Sequence, residues 1–226
     1  MTLLLARVPA LRLVRSPRAW LPIVGWTLLA IVIALSARAR GATSGADHIM
    51  RGTFAFLVLP LVAYGVVSAT LGGGLKPGIR GVVALGAAPR SAALASVLVA
   101  AAASAALCGT LGAIVCALAH GSADPPLGVD MAASFGVGVL GGAAYAAYFS
   151  AGAAIGRGTM RGLFLAFDWI VGSGAGAGAL LVPRGHVTSL LGGPLCADLS
   201  QRGSSVMLVA LVFAYASLAL VLVRRP

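Results

Sequence analysis

Residues 204–223 read SSVMLVALVFAYASLALVLV, with no charged side chain among them. At 1.5 Å per residue, a helix of this length spans about 30 Å, the thickness of the hydrocarbon core of a bilayer. Working outward from this stretch, five further segments read the same way, at about 19–36, 53–71, 92–119, 131–156 and 162–183. The only charge in any of them is Asp168. Residues 91–107 are mostly alanine and serine. Those side chains gain little from lipid, so this half is expected to pack against other helices.

Composition agrees with that reading. Charged residues make up 9% of the chain, against roughly a quarter in soluble domains. Too few charges are present to cover a water-exposed surface. The expected fold is therefore an all-α integral membrane protein with six transmembrane helices, forming one domain over residues 1–226. The connecting loops, 37–52, 72–91, 120–130, 157–161 and 184–203, are short, and no internal repeat is visible. The net charge of +11 is scattered singly or in small groups between apolar runs, as charges flanking membrane spans are. Nucleic acid is not an expected partner; the lipid bilayer is.

An even number of spans puts both termini on one side. With the termini inside, the inner segments hold Arg7, Arg12, Arg15, Arg18, Lys76, Arg80, Arg90, Arg157, Arg161, Arg224 and Arg225. The outer loops hold Arg38, Arg40, Arg51, Arg184 and Arg202. This excess predicts cytoplasmic termini in a cell membrane, the bacterial cytoplasmic membrane by preference. Ala34-Leu35-Ser36 loosely resembles a signal cleavage site. The apolar run before it is longer than a signal core and arginines follow at once, so the first span is expected to be retained. Residues 1–18 form a basic cytoplasmic lead-in. Arg7, Arg15 and Arg18 would share a helical face with Leu4 and Leu11, interrupted by Pro9. A surface-lying amphipathic helix and a plain basic anchor both fit.

Catalytic chemistry is thinly provided for. The chain has no glutamate; its acids are Asp47, Asp124, Asp130, Asp168 and Asp198, and its histidines are His48, His120 and His186. No HExxH pair exists, and the histidines read as unconnected loop residues without metal-ligand spacing. Cys108 and Cys116 would stand about 12 Å apart along one helix, too far to bridge. Ser173 between Gly172 and Gly174 would need a histidine on another span to act as a nucleophile, and no span carries one. Gly172, Gly174, Gly176 and Gly178 instead give overlapping GxxxG spacings for helix packing, as do Gly138 and Gly142. Asp168 is the intramembrane polar candidate. It could line a polar path or relay a proton; equally, water or an arginine could reach it near a helix end. Lys76 is followed by Pro77, so no P-loop is present. No catalytic residue, cofactor or metal site is expected in the chain, and any ATP and magnesium would belong to a partner.

The loop 72–91 carries the most specific pattern. Gly72-Gly73-Gly74 ends the second span, and Pro89 marks the entrance to the third. Between them Ile79, Val82, Val83 and Leu85 would form a short apolar turn flanked by basic residues, suited to docking in a groove on a partner. An ordinary basic loop is the alternative.

Arg80-Gly81 and Pro89-Arg90-Ser91 resemble, in order and approximate spacing, the loop between spans two and three of ABC-2 type permeases, the membrane subunits of ABC exporters. In that family the loop typically reads Arg-Gly-Thr-x-Glu, a few apolar residues, then Pro. Here Val82 replaces the threonine and Ala84 occupies the acidic position. Two further stretches are similar to the family's: the basic run Arg12-Leu13-Val14-Arg15-Ser16-Pro17-Arg18, and Pro183-Arg184-Gly185-His186-Val187 with Leu190-Leu191, where the family has short re-entrant helices. The resemblance implies a non-enzymatic transport subunit, paired with a second permease copy or paralogue. A separate nucleotide-binding ATPase would dock on a coupling helix formed from Lys76, Arg80, Gly81, Val82, Val83, Leu85, Pro89 and Arg90. A membrane transporter without ATP, which could be proton-coupled through Asp168, or a non-catalytic assembly component, is the alternative reading. No substrate is legible.

Overall fold

Proline and glycine punctuate the apolar runs, and the helices begin and end at them. The computed structural model describes residues 2–156, 158–174 and 176–223, and the side chains of residues 2–4, 18 and 19 are outside the description. Of the basic residues counted above, the side chain of Arg18 and residues Arg157, Arg224 and Arg225 thus lie outside the described residues. Helix α1 (Thr2–Arg15) ends where Pro17 begins α2 (Pro17–Ala39). A short α3 (Gly45–Ile49) leads into a π-helical segment, Met50–Val58, which continues as α4 (Leu59–Leu71). The short helix α5 (Leu75–Ala84) precedes α6 (Pro89–Ala119), which starts on its proline. Then come α7 (Leu127–Ala154), α8 (Met160–Val171), a 3-10 turn at Ala177–Leu181, α9 (Pro183–Leu190), a second 3-10 turn at Cys196–Asp198, and α10 (Gln201–Val223). No strand occurs among the described residues.

Five helical stretches among the described residues are long and apolar enough to cross a membrane: Trp20–Ala39, Gly45–Ala84, Pro89–Ala119, Leu127–Ala154 and Gln201–Val223. The architecture is that of an all-α, multi-pass membrane protein. The second stretch is the most enclosed; Val58, Leu59, Val62, Val66 and Val67 are fully covered. Against it stands an aromatic cluster on α7, in which Phe149 meets Tyr64 edge-on at 5.4 Å and Tyr148 meets Phe164 and Tyr215 at 4.8 and 4.9 Å.

The most extensive helix contact joins α6 and α7. A methyl group at Gly142 would sit 2.6 Å from the Ser104 carbonyl oxygen, and one at Gly112 would sit 2.8 Å from that of Ser134. At Gly138 it would overlap the Cys108 carbonyl. Small residues on both helices let the backbones touch, the packing mode that works in lipid, where burial of apolar surface drives little association. Ser104, Gly109 and Gly112 on α6 complete the seam and were not singled out from sequence.

The expectation of one helix over 162–183 is not met. α8 has 12 residues, about 18 Å of helix, and the chain leaves helical geometry just after Gly172. Two causes combine. Gly172, Gly174, Gly176 and Gly178 each weaken a helix by about 1 kcal/mol relative to alanine, and Pro183 starts a new helix. The second cause is tertiary. Arg184 Nε donates to Asp168 Oδ2 at 3.0 Å, whereas sixteen residues of continuous helix would hold the two about 24 Å apart. Of the four glycines expected to pack helices, Gly172 lies against the Arg184 side chain and Gly178 against Val171. Gly176 has open space where a side chain would be, and one at Gly174 would meet only backbone, at 3.7 Å.

At the N-terminus Pro9 does not interrupt the helix. It lies inside α1 with its ring buried beside Leu13, while Arg7, Leu11, Val14 and Arg15 are exposed. α1 packs along α6 and α4, which supplies the burial an isolated proline-containing helix would lack.

Candidate functional site

Two places concentrate polar groups against an otherwise apolar bundle. The first is the turn between α4 and α5. Gly72 ends α4 at φ +60°, a conformation that favours glycine. The neighbouring turn presses against it so closely that Gly158, at φ +87°, contacts the Gly73 carbonyl. Arg161, only 8% exposed, staples the two turns together. Its Nη2 donates to the Gly72 carbonyl at 2.7 Å, its Nη1 to Ser68 Oγ at 3.2 Å and its Nε to the Gly158 carbonyl at 3.2 Å. From α1, Arg12 Nη1 donates to the Gly78 carbonyl at 2.6 Å. Replacing Arg161 with glutamine should lower stability by about 2 kcal/mol through these lost bonds, measurable as a lower midpoint of thermal unfolding in detergent. An unchanged midpoint would make the staple dispensable.

Held in this way, α5 is two-faced. Leu75 and Ile79 are buried, Val82 and Val83 are half-buried, and Lys76 is half-buried on the flank. Arg80, Gly81, Pro89 and Arg90 are exposed, and Leu85 is 89% exposed. The expected apolar turn is therefore divided: its valines face the bundle, and Leu85 is the apolar residue presented outward between arginines.

The second place is the break after α8. Asp168 is fully buried. Its Oδ2 accepts from Arg184 Nε and, at 2.9 Å, from the Tyr145 hydroxyl; its Oδ1 accepts from the Arg184 backbone N–H at 3.2 Å. Arg184 Nη2 in turn donates to the Phe56 carbonyl at 3.0 Å, and the guanidinium lies 4.3 Å from the Phe56 ring centroid. Trp169 Nε1 donates to the same carbonyl at 3.1 Å. Four residues on from Phe56, Pro60 has no N–H to offer that carbonyl. The π-helical segment thus offers a backbone acceptor to the broken helix opposite.

Sequence reasoning located Asp168 and allowed an arginine near it, but the nearer arginine in sequence, Arg161, is not the partner. Arg184 is, and Tyr145 and Phe56 were not singled out at all. A usable signal was present: an acid and an arginine on either side of a glycine-rich stretch within one apolar segment. Elsewhere the chemistry is sparse. His186 Nε2 lies 3.1 Å from the Leu180 carbonyl, His120 lies 4.0 Å from Asp130, and His48 is exposed. No group of three metal-ligating side chains occurs among the described residues. The Ser173 hydroxyl donates to the Trp169 carbonyl at 2.6 Å. Cys108, Cys116 and Cys196 are buried free thiols. Comparison with protein families, with curated proteins and with solved structures finds no match to this chain.

Proposed function

We propose that the chain is the membrane-spanning permease subunit of an ATP-driven ABC transporter, an exporter of ABC-2 type, seated in a cell membrane with both termini in the cytoplasm. A separate nucleotide-binding ATPase docks on residues 72–91, hydrolyses ATP with its own magnesium, and drives a pair of permease subunits by rigid-body coupling. The observation that carries this reading is α5. It is a short helix clamped to the bundle by Arg12 and buried by Leu75 and Ile79, with Arg80 exposed on it, Leu85 exposed just past its end and Arg90 exposed at the start of α6. Such a helix has the form of an element that docks into a groove and passes force inward.

Six crossings remain compatible with the broken helix. α8 starts beside the Gly72 turn, and α9 ends at Leu190, next to Leu191, whose carbonyl accepts from Arg51 Nε at 3.1 Å at the opposite end of the π-α4 helix. The two half-length pieces together carry the chain from one end of the bundle to the other. Irregular backbone at membrane depth is tolerated where it is enclosed by protein or lines a cavity, and it recurs where transporters hold their cargo.

The test is co-purification in mild detergent. The wild-type protein should bring down a P-loop ATPase, and Leu85→Glu should reduce the recovered ATPase at least tenfold while leaving the permease folded, because residue 85 is exposed. Undiminished recovery with Leu85→Glu would count against docking at α5. Proton-coupled carriage is the second reading, favoured by the burial of Asp168. It predicts that Asp168→Asn abolishes transport driven by a pH gradient without touching ATPase recovery.

A further inference from the structure

Beside the broken helix lies a cavity of about 540 Å³, within the range that small-molecule sites occupy. We infer that it binds an uncharged, largely apolar small molecule carrying one hydrogen-bond acceptor such as an amide or ester carbonyl. Binding as such does not depend on the ATPase partnership; the further role of this molecule as cargo rests on the transport reading above.

The walls decide the ligand class. Phe56 and Leu57 of the π-helical segment face Leu195 and Cys196 of the loop before α10, with the glycines of the break between them. Burial pushes the Cys196 thiol above its ordinary pKa, so it contributes no charge. Two arginines line the cavity and at first sight invite an anion. Both are already balanced. Arg184 is paired with Asp168 and Arg51 with Asp47, and among the described residues no other charged side chain lines the cavity. A carboxylate entering here would lose its hydration with no free counter-charge to replace it. A carbonyl needs only a donor. Thr53 and Thr188 are among the lining residues, and Arg184 Nη1 is buried with no hydrogen-bond partner among the described residues, a donor held for such an acceptor.

Octanamide and octanoate share an apolar tail and differ at the head in charge, so they separate the two classes. Uptake of each, radiolabelled, is measured by equilibrium dialysis on the full chain in lipid nanodiscs, with empty nanodiscs subtracted and no ATPase present. Octanamide should bind saturably with one site per chain, at least tenfold more tightly than octanoate. Gly174→Leu provides the site-specific control. Gly174 lines the cavity, and a side chain there meets no heavy atom nearer than 3.7 Å, so leucine fills the cavity without forcing the backbone. It should weaken octanamide binding at least tenfold. Equal or tighter binding of octanoate, no saturable uptake above empty nanodiscs, or undiminished uptake by Gly174→Leu would each overturn the inference. ATPase recovery through α5 is read in a separate assay, so failure of one reading leaves the other standing or falling on its own result.

Discussion

Arg184→Met is expected to destabilise the folded protein by about 3–5 kcal/mol, the cost of removing one member of a buried ion pair. Methionine fills much of the space the arginine stem occupies, so the loss is mainly electrostatic. The Asp168 carboxylate would stay fully buried with the Tyr145 hydroxyl as its remaining side-chain donor, and the Phe56 carbonyl would keep Trp169 alone. Unfolding of the detergent-solubilised protein, followed by circular dichroism against denaturant, measures the change. The double variant Asp168→Leu/Arg184→Met removes both charges and should recover a large part of the loss, because an apolar pair avoids the unpaired charge. A single variant within about 1 kcal/mol of wild type would mean that water reaches this pair and that its burial is not what holds the break.

The second large effect belongs to the α6–α7 seam. Gly138→Val combined with Gly142→Val should cost at least about 3 kcal/mol, at the upper end for overpacking. The atoms that a new side chain would strike are the backbone carbonyls of Cys108 and Ser104, which have no rotamer to move away into; the helices themselves must separate. Gly136→Val on the same helix is the matched control. Nothing lies within 4 Å of a side chain there, so its change should stay within about 0.5 kcal/mol. The same unfolding measurement reads both. Equal effects at the two places would show that helix propensity, rather than close approach, governs this helix.

The residues of the two places differed in how far they could be read in advance. Gly138 and Gly142 were visible because a four-residue spacing is a local property of one helix. Their partners, Cys108 and Ser104, are met through backbone carbonyls, which leave no mark on the sequence. In the 72–91 loop, the glycines that end α4 and the proline that starts α6 were legible. The division of labour within α5 was not. Whether Val82 or Leu85 faces the bundle depends on the rotation of the helix, which Arg12 and Ile79 set through contacts with other elements. Pro9 misled for the opposite reason: its local cost is real, but the surface of α6 outweighs it.

Hydrophobic length alone determined that this chain is a set of apolar helices, and where five of them run. Each helix satisfies its own backbone hydrogen bonds, so its existence needs no knowledge of its neighbours. The fate of residues 162–183 was of another kind. Hydropathy is the same whether such a segment stays straight or breaks. Only the meeting of Asp168 with Arg184 and Tyr145, and of Arg184 with the Phe56 carbonyl, makes the broken form the one in which the buried charge is paired. That meeting involves side chains and backbone from four separate elements, and the cavity lies beside it.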